Sequence, residues 1–302
     1  MDSHREIREF LMTRRSRLTP EQAGLPDFGG RRRVAGLRRE EVALIAGISV
    51  EYYIRLERGN ATGVSEAVLG GISRALQLDD AEHAHLHDLV RAATASPGAA
   101  RRRNTPRGGQ IPPSVHQMID AMKDLAVLIQ NGRGDIVAAN SLGEALYSEM
   151  YVQPQRPPNF GRFVFLDPRS QDFYLDWNES AQQTVALLRS EAGRSPHDRA
   201  LSNLVGELST RSDTFRTLWA SHNVREHRTG TKRVHHPVVG DITLSYEGLH
   251  ITSTPGLLML PYTAEPGSTS HDKLQLLANW AATGRGESGT THHARTDPLT
   301  HD

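Results

Sequence analysis

The chain has 302 residues, with 35 basic and 35 acidic side chains, 37% hydrophobic residues and no cysteine. That length predicts about two domains, and the lack of cysteine excludes a disulfide framework and any cysteine-based zinc or redox centre. No apolar run approaches the roughly 20 residues that span a bilayer, and "MDSHREIREF" lacks a signal peptide's apolar core. A soluble cytoplasmic protein with no membrane partner is therefore expected. The neutral total hides an asymmetry: residues 1–110 hold 18 Arg, no Lys and 14 acids, a net +4, and the remainder is −4. Eight arginines fall between Arg14 and Arg39 against Glu21 and Asp27. Such a basic patch suits a polyanion, because each neutralised phosphate releases condensed counterions.

In chain order, residues 1–95 read as short helices. Ile7, Phe10 and Leu11 share a face at i, i+3, i+4. Pro and Gly break the pattern over 18–30. A second helix is expected near 39–46 with Val42, Ile45 and Ala46 inward. A third is expected near 50–58, capped by Ser49 and stopped by Gly59. A fourth near 64–77 and a fifth near 80–94 complete an all-α domain. Residues 96–112, rich in Pro, Gly, Ser and Arg, read as a linker. Beyond it, 125–129 and 135–140 flank the turn signal "QNGRG" and predict paired strands. "FVFL" (163–166) is a further strand candidate. Three helical runs follow, marked by Trp177 to Leu188, Leu201 to Leu208 and Phe215 to His222. "DITLSYEG" then alternates with period two, "GLLMLPYTA" reads as a buried strand, and a last helix spans about 270–282. Residues 284–302 read as a disordered tail. Strands at both ends with helices between them predict an antiparallel sheet with helices packed on it.

The segment "GLRREEVALIAGISVEYYIRLERGN" (36–60) has the spacing of a helix-turn-helix. Ala43 and Ala46 permit close helix approach, Gly47 supplies a positive φ at the turn, and Ile48, Tyr53 and Leu56 point inward. Ser49, Val50, Glu51, Tyr52 and Arg55 then occupy the half of the second helix that enters a major groove. Arg55 has the fork geometry for guanine. Glu51 can accept from cytosine or steer Arg55 four positions on. Val50 can touch a thymine methyl. Arg38, Arg39, Arg58 and Asn60 are backbone candidates. The competing reading is an ordinary amphipathic hairpin with exposed charges.

The same stretch resembles the XRE-type, lambda-repressor-like helix-turn-helix regulators, and its "LRREEVA…AGISVEYYIRLERG" form is similar to the MmyB-like regulators. "VLIQNGRGDIVAANSLGEALY", "RFVFLDP", "DWNESAQQTVALLRSEAG", "RSDTFRTLWASHNVRE" and "GTKRVHHPVVGDITLSYEGL" resemble that family's C-terminal domain, so the likeness covers roughly 5–280. It implies a multidomain protein: an all-α reader at 1–95, then an α+β PAS-like ligand-binding domain at 113–283. It also implies a transcriptional regulator with double-stranded DNA and a small-molecule effector as partners, a fatty-acid-like one among the candidates. A homodimer is expected, since one recognition helix discriminates weakly and two-fold operators are the usual remedy.

Trp219, His222, Arg225, His236 and Tyr246 form the densest aromatic and polar grouping of the second half, and are the candidate ligand contacts. Trp219 and His222, three apart, would share a helix face, and Arg225 could pair with an acidic ligand. A satisfied core histidine beside a core tryptophan is the competing reading. The histidine spacing does not suit a metal, and no nucleophile elbow, phosphate loop or paired carboxylates appear, so no cofactor and no catalytic residue are expected. Two alternatives stay open for the second domain: an interaction module without ligand, and a metabolite-processing enzyme.

Overall fold

The computed structural model describes residues 2–25, 34, 36–94, 111–152, 157–222 and 229–289. Five helices form the N-terminal unit: α1 (Ser3–Arg17), α2 (Arg39–Ala46), α3 (Val50–Glu57), α4 (Glu66–Ala75) and α5 (Asp80–Thr94). Their inward stripes meet in one core that includes Ile7, Phe10, Val42, Tyr53, Leu56, Ile72 and Leu86. The expected period of 3.6 is thus realised as burial. Helix starts follow side-chain chemistry: Asp2, Ser49 and Ser65 each accept a backbone N–H of the following first turn. Most of the expected linker lies outside the described residues.

The second unit begins with α6 (Pro113–Ala121), β1 (Ala126–Asn131) and β2 (Ile136–Ala139), with β1 and β2 antiparallel as the "QNGRG" turn predicts. Seven helices follow among the described residues: α7 (Ser141–Leu146), α8 (Ser148–Tyr151), α9 (Phe160–Leu166), α10 (Arg169–Phe173), α11 (Trp177–Arg194), α12 (Arg199–Arg211) and α13 (Asp213–Ala220). Then come β3 (Thr229–His236), β4 (Gly240–Glu247), β5 (Leu249–His250), β6 (Leu257–Thr263) and α14 (Thr269–Gly289). The strand order is β2-β1-β6-β4-β3, with β5 also pairing β6, and every pairing is antiparallel. The last helix passes its expected end near 282, and residues 290–302 of the tail lie outside the described ones.

The sheet is covered on both faces. Val127, Ile129, Leu257 and Met259 pack with α6, while Leu128, Leu244, Leu260 and Tyr262 face the helices that follow β2. This explains why β1 is buried over its first five residues, four of them apolar, whereas β4 alternates buried and exposed residues. Asn140 ties the α6 side to the sheet. Its Oδ1 accepts from Val127 N and Gly143 N, and its Nδ2 donates to the carbonyls of Ile119, Met122 and Leu125.

One expected strand is a helix. "FVFL" lies inside α9, because Asn159 caps it by accepting from Arg162 N at 3.0 Å, and Phe163 and Val164 enter the core from a helical backbone. Four apolar residues in a row are too few to separate period two from period 3.6.

Candidate DNA-reading face and effector cavity

Between α2 and α3 the chain turns through Gly47 at φ 70°, ψ 34°, while Ile48 N reaches back to Ala43 O at 3.0 Å. A Cβ on Gly47 would meet nothing within 4 Å. The glycine is therefore needed for its left-handed backbone and not for space. At Gly71 the reverse holds: a Cβ there would sit 2.6 Å from Ala46 O. That contact brings α4 directly against the end of α2.

The outward side of α3 exposes Glu51 and Arg55, with Arg58 and Asn60 exposed just beyond it. Arg55 does not pair with Glu51 as its spacing allows. Its guanidinium rests over the Tyr52 ring at 4.7 Å, and Tyr52 Oη donates to Gly63 O at 3.4 Å. Val50 is half-buried and packs on the helical core. Ser49 spends its hydroxyl on the cap, accepting from Tyr52 N at 3.1 Å. Asn60 Oδ1 accepts from Thr62 N at 3.2 Å. Arg38 is exposed beside Glu40, and Arg38 N donates to Glu41 Oε2 at 2.6 Å to start α2.

Sequence reasoning missed Glu57. It is 2% exposed and bridges two arginines: Oε1 accepts from Arg15 Nε at 2.6 Å, and Oε2 pairs with Arg39 Nε. Arg15 also donates to Leu37 O at 2.8 Å. Arg39, still about half exposed (48%), is thereby held in a fixed place at the start of α2. The signal was an acid at an i+4 core position of α3, one turn after Tyr53.

In the second unit a cleft opens between α11 and the sheet. Leu258, Leu260, Phe160 and Leu187 give it apolar wall, and Tyr174, Tyr246 and Tyr262 give it aromatic edges. Its polar groups are Gln130, Ser180, Gln183, Thr184 and Lys232. Lys232 Nζ donates to Gln183 Oε1 at 2.5 Å and to Ser180 Oγ at 3.3 Å, and lies 5.4 Å from the Tyr174 ring. Among the described residues no carboxylate comes within ion-pair distance of it. Burial pushes this ammonium down to about 8, against a small opposing pull from Glu179. The cleft thus holds a desolvated cation whose partners are neutral dipoles.

The five expected ligand contacts scatter. Tyr246 lines the cleft. His236 is fully buried elsewhere, with Nε2 on Ala145 O at 2.9 Å and Nδ1 accepting from Val238 N at 3.2 Å, so its polar atoms are spent on the fold. Trp219 and His222 do not share a helix face: α13 ends at Ala220, and His222 takes a left-handed backbone at φ 52°. His222 meets α1 at Glu9 and Arg14, Trp219 packs on Phe215 and Arg189, and neither lines the cleft. Arg225 lies outside the described residues. Lys232, Gln183 and Ser180 were missed because each is unremarkable in its local window. Only the pairing of β3 against α11 brings them together.

A compact helix-turn-helix joined to a cleft-bearing α+β unit defines a DNA-binding transcriptional regulator with a ligand-sensing domain. Residues 28–86 match the family described as a helix-turn-helix domain. Residues 111–277 match the MmyB-like transcription regulator ligand binding domain, and the chain belongs to that family. A search of curated proteins returns no match. Both matched modules are of regulator type. Among the described residues no helix is long and apolar enough to cross a membrane.

Proposed function

We propose that the protein is a cytoplasmic, homodimeric, sequence-specific DNA-binding regulator whose effector is a carboxylate amphiphile of the fatty-acid type. The observation that carries this reading is Lys232, a half-buried cation with no acidic partner among the described residues, in a cleft walled by leucines and aromatic rings. A carboxylate head would replace the neutral dipoles at Nζ, a charge-assisted bond about twice as strong. An alkyl chain would lie along Leu258, Leu260 and Phe160, gaining about 0.8 kcal/mol per buried methylene. For DNA, Arg55 on its Tyr52 platform is the base-reading group, with Glu51 beside it. Arg38, Arg39, Arg58 and Asn60 meet phosphates, and Ser49 and Val50 set the helix that presents them.

The test is calorimetry with dodecanoate and dodecanol on the full chain. The acid is expected to bind and the alcohol to bind at least tenfold more weakly. Equal binding would remove the carboxylate from the reading, and binding of neither would favour a domain that only mediates protein contacts. Native mass spectrometry of the purified protein would add the dimer mass and any co-purified acid.

A further inference from the structure

Helix α11 does two things along its length. Its first half supplies Ser180, Gln183, Thr184 and Leu187 to the cleft. Its second half is buried against the DNA-reading unit. Arg189, 1% exposed, donates from Nη1 to Glu6 Oε2 on α1 at 2.8 Å, and the same Nη1 lies 2.8 Å from His222 Nδ1. Its other nitrogen, Nη2, donates to Trp219 O, and the guanidinium stacks over the Trp219 ring at 4.1 Å. His222 closes the cluster: its Nε2 lies 3.2 Å from Glu9 Oε2, and its carbonyl accepts from Arg14 Nη2 at 2.5 Å. The left-handed backbone of His222 lets its ring and its carbonyl meet α1 at once. One turn further on, a Cβ at Gly193 would come within 2.8 Å of the buried His85 ring of α5, so helix and domain touch without slack.

We propose that α11 is a lever that couples the cleft to the docking of the DNA-reading unit, and that filling the cleft releases the Arg189–Glu6–His222 latch. This rests on the reading of the cleft as the effector site. Lys232 of β3 holds α11 through Gln183 and Ser180. An anion that takes Lys232 removes those two ties, and its body occupies the space beside Thr184 and Leu187. The helix must then shift, and the latch tolerates little shift. Arg189 is a desolvated cation, held by one carboxylate, one imidazole, one carbonyl and one ring. Moved away from Glu6, it is better solvated outside the contact than within it. Docking is thus favoured while Lys232 holds α11 and disfavoured once an anion takes Lys232. Undocking frees each reading head from a fixed place on its sensor, so the spacing of two heads on an operator changes with the effector.

The absence of cysteine permits a direct test. Spin labels at Glu66→Cys and Asp213→Cys, both exposed positions, report the distance between the two units by pulsed electron resonance. The parent is expected to give one narrow distance peak, and Arg189→Met a broad one. Thr184→Trp, at a position that lines the cleft, fills it and is expected to broaden the peak in the same way. Gln183→Leu, which cuts the tie to Lys232 without adding bulk, should do so in part. Thermal melts show that each variant is folded. A narrow peak in Arg189→Met, or in both folded cleft variants, would overturn the lever. Dodecanoate separates the two readings: heat of binding with an unchanged peak overturns the lever alone. Broadening by the cleft variants without dodecanoate binding upholds the lever and overturns the choice of effector.

Discussion

Replacing Lys232 by Met should stabilise the empty sensor and abolish its affinity for an anion. Burial holds the ammonium near 8 against an ordinary 10.5. At about 1.4 kcal/mol per unit, the charge costs the folded domain on the order of 3 kcal/mol at neutral pH. The unfolded chain keeps this proton up to about 10.5 and the folded chain only to about 8. The cost is therefore full below pH 8, shrinks between 8 and 10.5 and vanishes above, so stability rises with pH across that window. Methionine removes the charge and fills the stem's space, but loses the links to Gln183, Ser180 and Tyr174, about 1 kcal/mol or less each. The net gain is about 1 kcal/mol, or a Tm increase of about 2–4 °C for a domain of this size. Urea midpoints measured from pH 7 to 10.5 check it: the parent's rise with pH should flatten in the variant. A variant less stable than its parent at pH 7, with the same pH profile, would show that Lys232 is structurally paired and would remove it as the anion site.

Dodecanoate affinity of the parent should fall about tenfold per pH unit above pH 8, as the amine loses its proton, and stay flat from pH 6 to 8; isothermal titration reads this. Arg55→Ala should relax preference at one base position by on the order of 1–3 kcal/mol, whereas Arg39→Ala should weaken all sequences and reduce the salt slope. Selection from a random DNA pool followed by salt titrations distinguishes them. Glu57→Ala should cost about 1–2 kcal/mol, below the 3–5 of a fully buried pair, because Arg39 can turn to solvent and Arg15 keeps the Leu37 carbonyl; a urea melt measures it. Gly71→Ala should destabilise the helical unit more than Gly47→Ala. The first drives a methyl into Ala46 O, and the second bears only the left-handed backbone penalty of about 1–2 kcal/mol.

The helical unit was largely legible in the sequence because its code is local. Caps, an i, i+3, i+4 stripe and one glycine at a turn all lie within a few residues of what they determine. The β1–β2 hairpin and the alternating β4 were legible for the same reason. "FVFL" failed because four apolar residues carry no period, and a single asparagine cap decided for helix. The candidate ligand contacts lie further apart than the sequence suggests. Trp219, His222 and His236 looked like a pocket because they are dense in the sequence, but density along a chain is not proximity to a cavity. His236 is used up by Ala145 and Val238, and His222 by Arg189 of its own unit and by Glu9 and Arg14 across the contact with α1.

By itself, then, the sequence determined the order of the parts: a basic helical reader, then an α+β sensor. Tertiary structure alone decided where the chemistry sits. Lys232 lies some fifty residues from Gln183, and Arg189 nearly two hundred from Glu6. What sets Lys232 and Arg189 apart is desolvation beside particular partners. Folding creates that property of the surroundings, and no short window of residues encodes it.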